Sequence, residues 1–361
     1  MPPVTPSPSL PRIITYYQTH HNQDGTPISV LPLITQPGIR LTHLILAAIH
    51  INADPDHITL NDHSPSHPRF QTLWAELRAL QASGVKVLGM LGGAAKGTFS
   101  RERLDAPDGD GDGEAAATFE RYYAPLRDLV RERGLDGLDL DVEEDMSLGG
   151  VVRLIDRLRA DFGRGFLITL APVAAALLDR RRNLSGFDYE ALEVMRGRDI
   201  AWYNCQFYCG WGDCSNPIMY EMLIMKGWPA EKVVVGLVTN PQNGAGFVPF
   251  EVLASVIPLM VGQHSRFGGV MGWEYFNSLP GGRERPWEWA RWMTRVLRRD
   301  GVLAPEVVAP VGRVEVPIGE APGGGSGGEE VADADPDDGK GAAPLPEAFE
   351  YYSDGLGDND D

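Results

Sequence analysis

Asp136-Gly-Leu-Asp139-Leu-Asp141-Val-Glu143 sets a carboxylate at every second position of an apolar run from residue 139 onward. In an extended strand successive side chains point to opposite faces, so Asp139, Asp141 and Glu143 share one face and Leu138, Leu140 and Val142 the other. In an α/β barrel the leucines and the valine would pack on the outer helices. The acids would then point inward near the strand's C-terminal end, where barrel active sites are built. Like charges at this spacing cannot all ionise freely, so at least one proton is retained near neutral pH, as a general acid requires. Two other readings stay open on the residues alone: a solvated turn, or an oxygen-ligand site for Ca²⁺ or Mg²⁺.

Seven more short apolar runs flank this one, at residues 13–17, 41–49, 85–91, 166–171, 200–208, 233–238 and 268–275. Between them lie stretches whose apolar spacing suits amphipathic helices, among them 70–82, 115–133, 150–162 and 286–299. Eight strand candidates alternating with helices predict an α/β fold, a single (β/α)8 TIM barrel over residues 12–300. The connections leave no room for an inserted α+β domain. An open doubly wound sheet fits less well, because no Gly-x-Gly-x-x-Gly follows the first strand candidate. Residues 1–11 are Pro-rich and expected to be flexible, and residues 301–361 have the Gly, Pro, Asp and Glu composition of a disordered tail.

The net charge of −18 argues against a nucleic-acid partner, which needs clustered Lys and Arg. Most of that charge is in the tail, where residues 301–361 hold fifteen Asp and Glu against two basic residues. The tail's Phe349-Glu-Tyr-Tyr-Ser-Asp354 mixes aromatics with acids and could dock a protein, or the tail could simply aid solubility. No apolar run approaches the ~20 residues of a membrane helix, so no membrane partner is expected. The N-terminus lacks the basic start and apolar stretch of a secretory signal, which suggests a mature or an intracellular protein, with an intracellular, cytoplasmic one favoured. Only Cys205, Cys209 and Cys214 are present, no disulfide framework, although a Cys209 to Cys214 bridge stays open. Asp108-Gly-Asp-Gly-Asp-Gly113 imitates the start of a Ca²⁺ loop, but its twelfth position is Phe119, so a flexible acidic loop is expected. Pro65 and Pro68 oppose the helix that would align His63 and His67 as metal ligands. No metal or cofactor is expected, and the chain is expected to be a monomer.

The opening octapeptide resembles the Asp-x-x-Asp-x-Asp-x-Glu signature of glycoside hydrolase family 18, the chitinases and endo-β-N-acetylglucosaminidases. Other segments follow in the family's order. Val85-Lys-Val-Leu-Gly-Met-Leu-Gly-Gly93 resembles its third strand, which typically ends Ser-x-Gly-Gly. Gln206-Phe-Tyr208 resembles its sixth and Gly269-Val-Met-Gly-Trp273 its eighth. The likeness spans about residues 12–299 and is greatest to the short-barrel branch of plant class III chitinases.

The resemblance implies a retaining glycosidase acting next to N-acetylglucosamine, in which the substrate's own 2-acetamido group is the nucleophile. Glu143 would be the acid and then the base, Asp141 would orient the acetamido group with Asp139 behind it, and Tyr208 would hydrogen-bond the acetamido oxygen. Gln206, Trp273, Met271, Asp136 and Tyr17 are the expected substrate-binding residues, Trp273 as the floor of the sugar subsite. The implied partner is an N-acetylglucosamine-containing oligosaccharide or polysaccharide, chitin or an N-glycan. A non-catalytic carbohydrate-binding or inhibitor protein on the same barrel is the alternative class. Two departures stand out: Met90 replaces the Ser of Ser-x-Gly-Gly, and Cys209 replaces the Asn that often follows Gln-Phe-Tyr. The lost hydroxyl leaves the environment of Asp139 open, and Tyr16 or Tyr17 could supply another. Strand parity places Cys205 and Cys209 toward the outer helices, opposite Gln206 and Tyr208.

Overall fold

The computed structural model describes residues 10–106 and 114–298. The Pro-rich residues 1–9, the 301–361 tail and the Gly/Asp loop at 108–113 lie outside the described residues.

Nine strands occur in chain order: β1 Arg12–Tyr17, β2 His43–Ile51, β3 Ile58–Leu60, β4 Lys86–Gly92, β5 Gly137–Asp141, β6 Leu167–Leu170, β7 Trp202–Gln206, β8 Val233–Val238 and β9 Gly269–Trp273. Around them run α1 Pro32–Thr35, α2 Gln71–Ala82, α3 Glu114–Arg133, α4 Leu148–Phe162, α5 Ala174–Leu178, α6 Tyr189–Arg196, α7 Ile218–Lys226, α8 Phe250–Gln263 and α9 Glu288–Arg298. All the strands except β3 pair in parallel in the order β1-β9-β8-β7-β6-β5-β4-β2, and β1 pairs with β2 as well. Ile14 of β1 lies opposite both His43 and Met271, so the sheet has no free parallel edge and closes as the expected (β/α)8 barrel.

Side-chain parity divides the core in two. Ile14 and Tyr16, Ile45 and Ala47, Leu88 and Met90, Trp202, Val234 and Met271 meet inside the barrel. Their strand neighbours Ile13, Tyr17, Leu44, Leu46, Val87, Leu138 and Leu140 belong to a second cluster, shared with the helices. The four named helices are present, each with its apolar stripe on the sheet, and Ser147 caps α4 by accepting from the Gly150 amide.

Three features differ from expectation. First, β7 stops at Gln206, and Cys209 has left-handed backbone (φ 54°), so alternation fails past the strand end. Cys205 faces the helices as expected, but Cys209 packs against the barrel-side cluster instead. All three cysteines are free thiols. Second, β3 forms a short antiparallel hairpin on the end of β2, with Ile49 opposite Leu60. Third, α7 carries almost no helical periodicity, because its outer face is apolar too. Ile218, Met222 and Met225 of α7 and Leu259 of α8 are exposed. Among the described residues no helix is long and apolar enough to cross a membrane.

Candidate active site

The acids on β5 form a graded row. Asp139 is fully buried inside the barrel, Asp141 is 6% exposed, and Glu143 stands two residues past the strand end, half-buried at the mouth. Depth decides what each can do. Asp139 Oδ1 accepts from the Thr169 hydroxyl (2.5 Å) and the Asn204 amide (2.9 Å), and its Oδ2 accepts from the Tyr16 hydroxyl (2.6 Å). Tyr16 therefore supplies the hydroxyl that the sequence left undecided, and Met90 occupies barrel core. The Gln206 amide nitrogen bridges Asp141 Oδ1 (3.3 Å), Glu143 Oε1 (3.2 Å) and the Ala171 carbonyl (3.0 Å), two hydrogens shared among three acceptors.

Among the described residues no Lys, Arg or His pairs with any of these three carboxylates. Burial therefore raises the pKa of Asp139, opposed by its three donors. Asp141 is pushed well above the usual carboxylate range by burial and then by the neighbouring Glu143 and Asp139. Glu143 is raised by burial, with the Gln206 amide opposing. The row thus favours retained protons in its upper part, on Asp141 and Glu143.

Tyr208 is buried beside this row, and its phenol is held neutral by burial and by Asp141 and Glu143. Its hydroxyl has no hydrogen-bond partner among the described residues. Trp273 lies partly exposed over the mouth, edge to face with Tyr16 at 5.5 Å between ring centroids. Met271 is buried in the barrel core over Gly236.

Two expected site residues lie elsewhere. Asp136 precedes β5 at the opposite end of the barrel and accepts from Lys86 Nζ (2.7 Å), the Val87 amide (2.9 Å) and Gln81 (2.8 Å). It lies seven positions before Glu143, a rise of about 23 Å if the segment is extended, so the octapeptide's first acid fastens the barrel floor and cannot reach a ligand at the mouth. Tyr17 points to the helices and donates to the Ile28 carbonyl (2.6 Å). We expect Asp136→Asn to leave kcat/KM within about twofold of the parent in a steady-state assay while lowering Tm, since it touches only the floor.

The loop carrying Glu143 is pinned from several sides. Glu144 accepts from the Gly97 and Phe99 amides, Asp105 accepts from the Ser147 amide and hydroxyl, and the Ser185 hydroxyl donates to the Val142 carbonyl. Gly92 and Gly93 have φ of 92° and 96°, and the Gly93 amide donates to the Asp141 carbonyl. A Cβ on Gly92 would strike the Phe99 ring and lie 2.6 Å from that carbonyl, which explains glycine there. Sequence reasoning missed Thr169, Asn204, Glu144 and Asp105. Parity is the signal that would have found Asn204, two residues before Gln206, although it names no partner.

A barrel with this row at its C-terminal mouth can be compared with known proteins. The family model described as glycosyl hydrolases family 18 matches residues 12–245. The chain belongs to glycoside hydrolase family 18. A chitinase 2 of Rhizopus oligosporus is 28% identical over 55% of this chain, and the match spans only 36% of that longer protein. An acidic endochitinase of Nicotiana tabacum is 30% identical, over 70% of this chain and 85% of its own. Among solved structures, a fungal endo-β-N-acetylglucosaminidase of family 18 shares 51% identity and a TM-score of 0.76, covering 81% of this chain and 99% of its own. A chitinase from Aspergillus fumigatus shares 55% identity and a TM-score of 0.70, covering 78% and 98%. The site residues named above on β1, β5 and β7, with Thr169 and Tyr208, fall within the segment that the family 18 model matches, and Trp273 lies beyond it.

Proposed function

We propose that this glycosidase hydrolyses β-1,4 bonds next to N-acetylglucosamine with retention of configuration, using the substrate's acetamido group as nucleophile. The observation that carries this reading is that, among the described residues, no second buried carboxylate stands free across the mouth from Glu143. A two-carboxylate retaining site needs its nucleophile about 5–5.5 Å from the acid, on the other side of the scissile bond. At this mouth Glu144, Asp105 and Glu274 are each occupied by backbone amides, and Asp141 precedes Glu143 by two residues on the same side of the mouth.

In this scheme Glu143 protonates the glycosidic oxygen as the C1–O bond breaks, and the acetamido carbonyl oxygen bonds to C1. Water then attacks C1 of the cyclic oxazolinium as the C1–O bond to the acetamido oxygen breaks and the acetamide re-forms, and its proton passes to the Glu143 carboxylate, restoring the acid. Asp141 stabilises the positive acetamido nitrogen. The free Tyr208 hydroxyl faces the acetamido oxygen, and Trp273 carries the apolar face of the sugar. The similarity to both a chitinase and an endo-β-N-acetylglucosaminidase, each above 50% identity, gives two substrates to compare. The test incubates the protein with chitooligosaccharides and with high-mannose glycopeptides and reads the products by mass and anomeric NMR. β-Anomer released first from chitooligosaccharide supports the endochitinase-like reading, and turnover of glycopeptide alone moves the substrate to N-glycans. α-Anomer first would overturn the acetamido mechanism, and no turnover of either substrate would favour a carbohydrate-binding protein.

A further inference from the structure

Asp139 has three hydrogen-bond partners, and they are not equivalent. The Tyr16 and Thr169 hydroxyls can each donate to a carboxylate or turn and accept from a carboxylic acid, so neither fixes the charge of Asp139. An amide can also present either end, and its orientation must be set by its other contact. For Asn204 that contact is decisive. The Trp202 indole N–H, which can only donate, points at Asn204 Oδ1 (2.9 Å), so the amide nitrogen must face Asp139 Oδ1 (2.9 Å). Both side chains are buried in the barrel, Asn204 fully and Trp202 to within 1%. The Arg12 guanidinium lies over the Trp202 ring at 4.4 Å, and the His43 ring meets it at 4.6 Å, so the indole cannot turn away.

From this geometry we infer that Asn204, locked by Trp202, is a positioning residue that holds Asp139 as the ionised member of the row and leaves the retained proton to Asp141 and Glu143. Asp139 Oδ1 has both lone pairs filled, by Thr169 and Asn204. Oδ2 keeps one lone pair beyond Tyr16, through which a proton can be shared with Asp141. The inference rests on the proposed reading of this row as the catalytic group and adds what orders its protons. The titratable groups around Asp139 are Asp141 and Glu143 on its own strand and loop, Tyr16 of β1, Tyr208 after β7 and Tyr189 of α6. His43 of β2, its imidazole kept neutral by burial, and Arg12 of β1 flank Trp202, and among the three donors to Asp139 the amide is the one that cannot reverse.

The experiment uses Asn204→Leu, which removes the donor, Trp202→Phe, which keeps the ring and removes the lock, and the double variant. The pH dependence of kcat/KM is measured on whichever substrate the parent turns over. In both single variants we expect the acid limb to move up by about one pH unit, because Asp139 then takes a proton earlier. The double variant should move no further than Asn204→Leu, since Trp202 acts through Asn204. Infrared titration of the free protein gives a readout independent of turnover: the protonated-carboxyl band should persist to higher pH in each variant. Circular dichroism and Tm establish that each variant is folded, and if Asn204→Leu does not fold, Trp202→Phe carries the same test. An acid limb and carboxyl band unmoved in a folded Trp202→Phe protein would overturn the inference, as would a Trp202 shift that adds to that of Asn204. A parent inactive on both substrates would defeat the proposed function, and the carboxyl band would still decide the positioning role.

Discussion

Glu143→Gln is expected to lower kcat by about 10³-fold or more on the substrate the parent cleaves, with KM unchanged or lower and Tm close to the parent's. Gln keeps the shape and removes the transferable proton. The position is half-buried, and its one hydrogen-bond partner among the described residues is the Gln206 amide nitrogen. That contact survives, because the new side chain can turn its oxygen toward Gln206. Binding of an uncleaved oligosaccharide, read as a thermal shift, should therefore persist. The parent should also lose kcat/KM as pH rises through the pKa of Glu143. The acid form is the active one, and burial raises the pH at which it is lost. A Glu143→Gln protein that is folded and retains parental kcat would remove Glu143 from the chemistry.

The strand carrying these acids was legible because its pattern has period two, with acids on one parity and apolar residues on the other, a combination no helix reproduces. Tyr16 and Tyr17 were not separable, since Ile13-Ile-Thr-Tyr-Tyr17 has no polar alternation to show which tyrosine points inward. Barrel closure decides it, by setting the β1 face that reaches Asp139 from across the sheet. The donors to Asp139 were unreadable for the same reason. Thr169 is 30 residues from Asp139 in sequence, Asn204 is 65 and Tyr16 is 123, and the three meet only because β1, β6 and β7 face one interior. The absent Ser on β4 thus signalled a change of partner: Met90 fills volume, and hydroxyls from other strands hold the carboxylate. Asp136 misled because a motif reads as one unit, whereas an extended strand carries its two ends to opposite faces of the barrel. Helix α7 escaped notice because periodicity identifies a helix only when its outer face is polar, and its Ile218, Met222 and Met225 are exposed.

The last prediction turns on the cost of the buried row. Asp141 is held well above the ordinary carboxylate pKa, by burial first and then by Glu143 and Asp139. An acid whose folded pKa is raised binds its proton more tightly folded than unfolded, so its contribution to stability is full below the unfolded pKa and is lost as pH rises from there through the folded pKa. Asp141→Asn removes the titration and keeps the shape. We expect kcat to fall by about 10²-fold or more, because a neutral amide cannot stabilise the positive acetamido nitrogen. We also expect Tm at pH 8 to rise by about 2 °C or more, because the row no longer has to carry that charge. The Tm difference should shrink toward pH 4, where Asp141 is protonated in the folded parent and behaves much like Asn. Thermal scans at both pH values alongside kinetics check the two effects together. A variant that loses activity and is destabilised at pH 8 would place Asp141 in the support of the fold. One that gains stability and loses turnover would show that the barrel tolerates a strained carboxyl for the chemistry at its mouth.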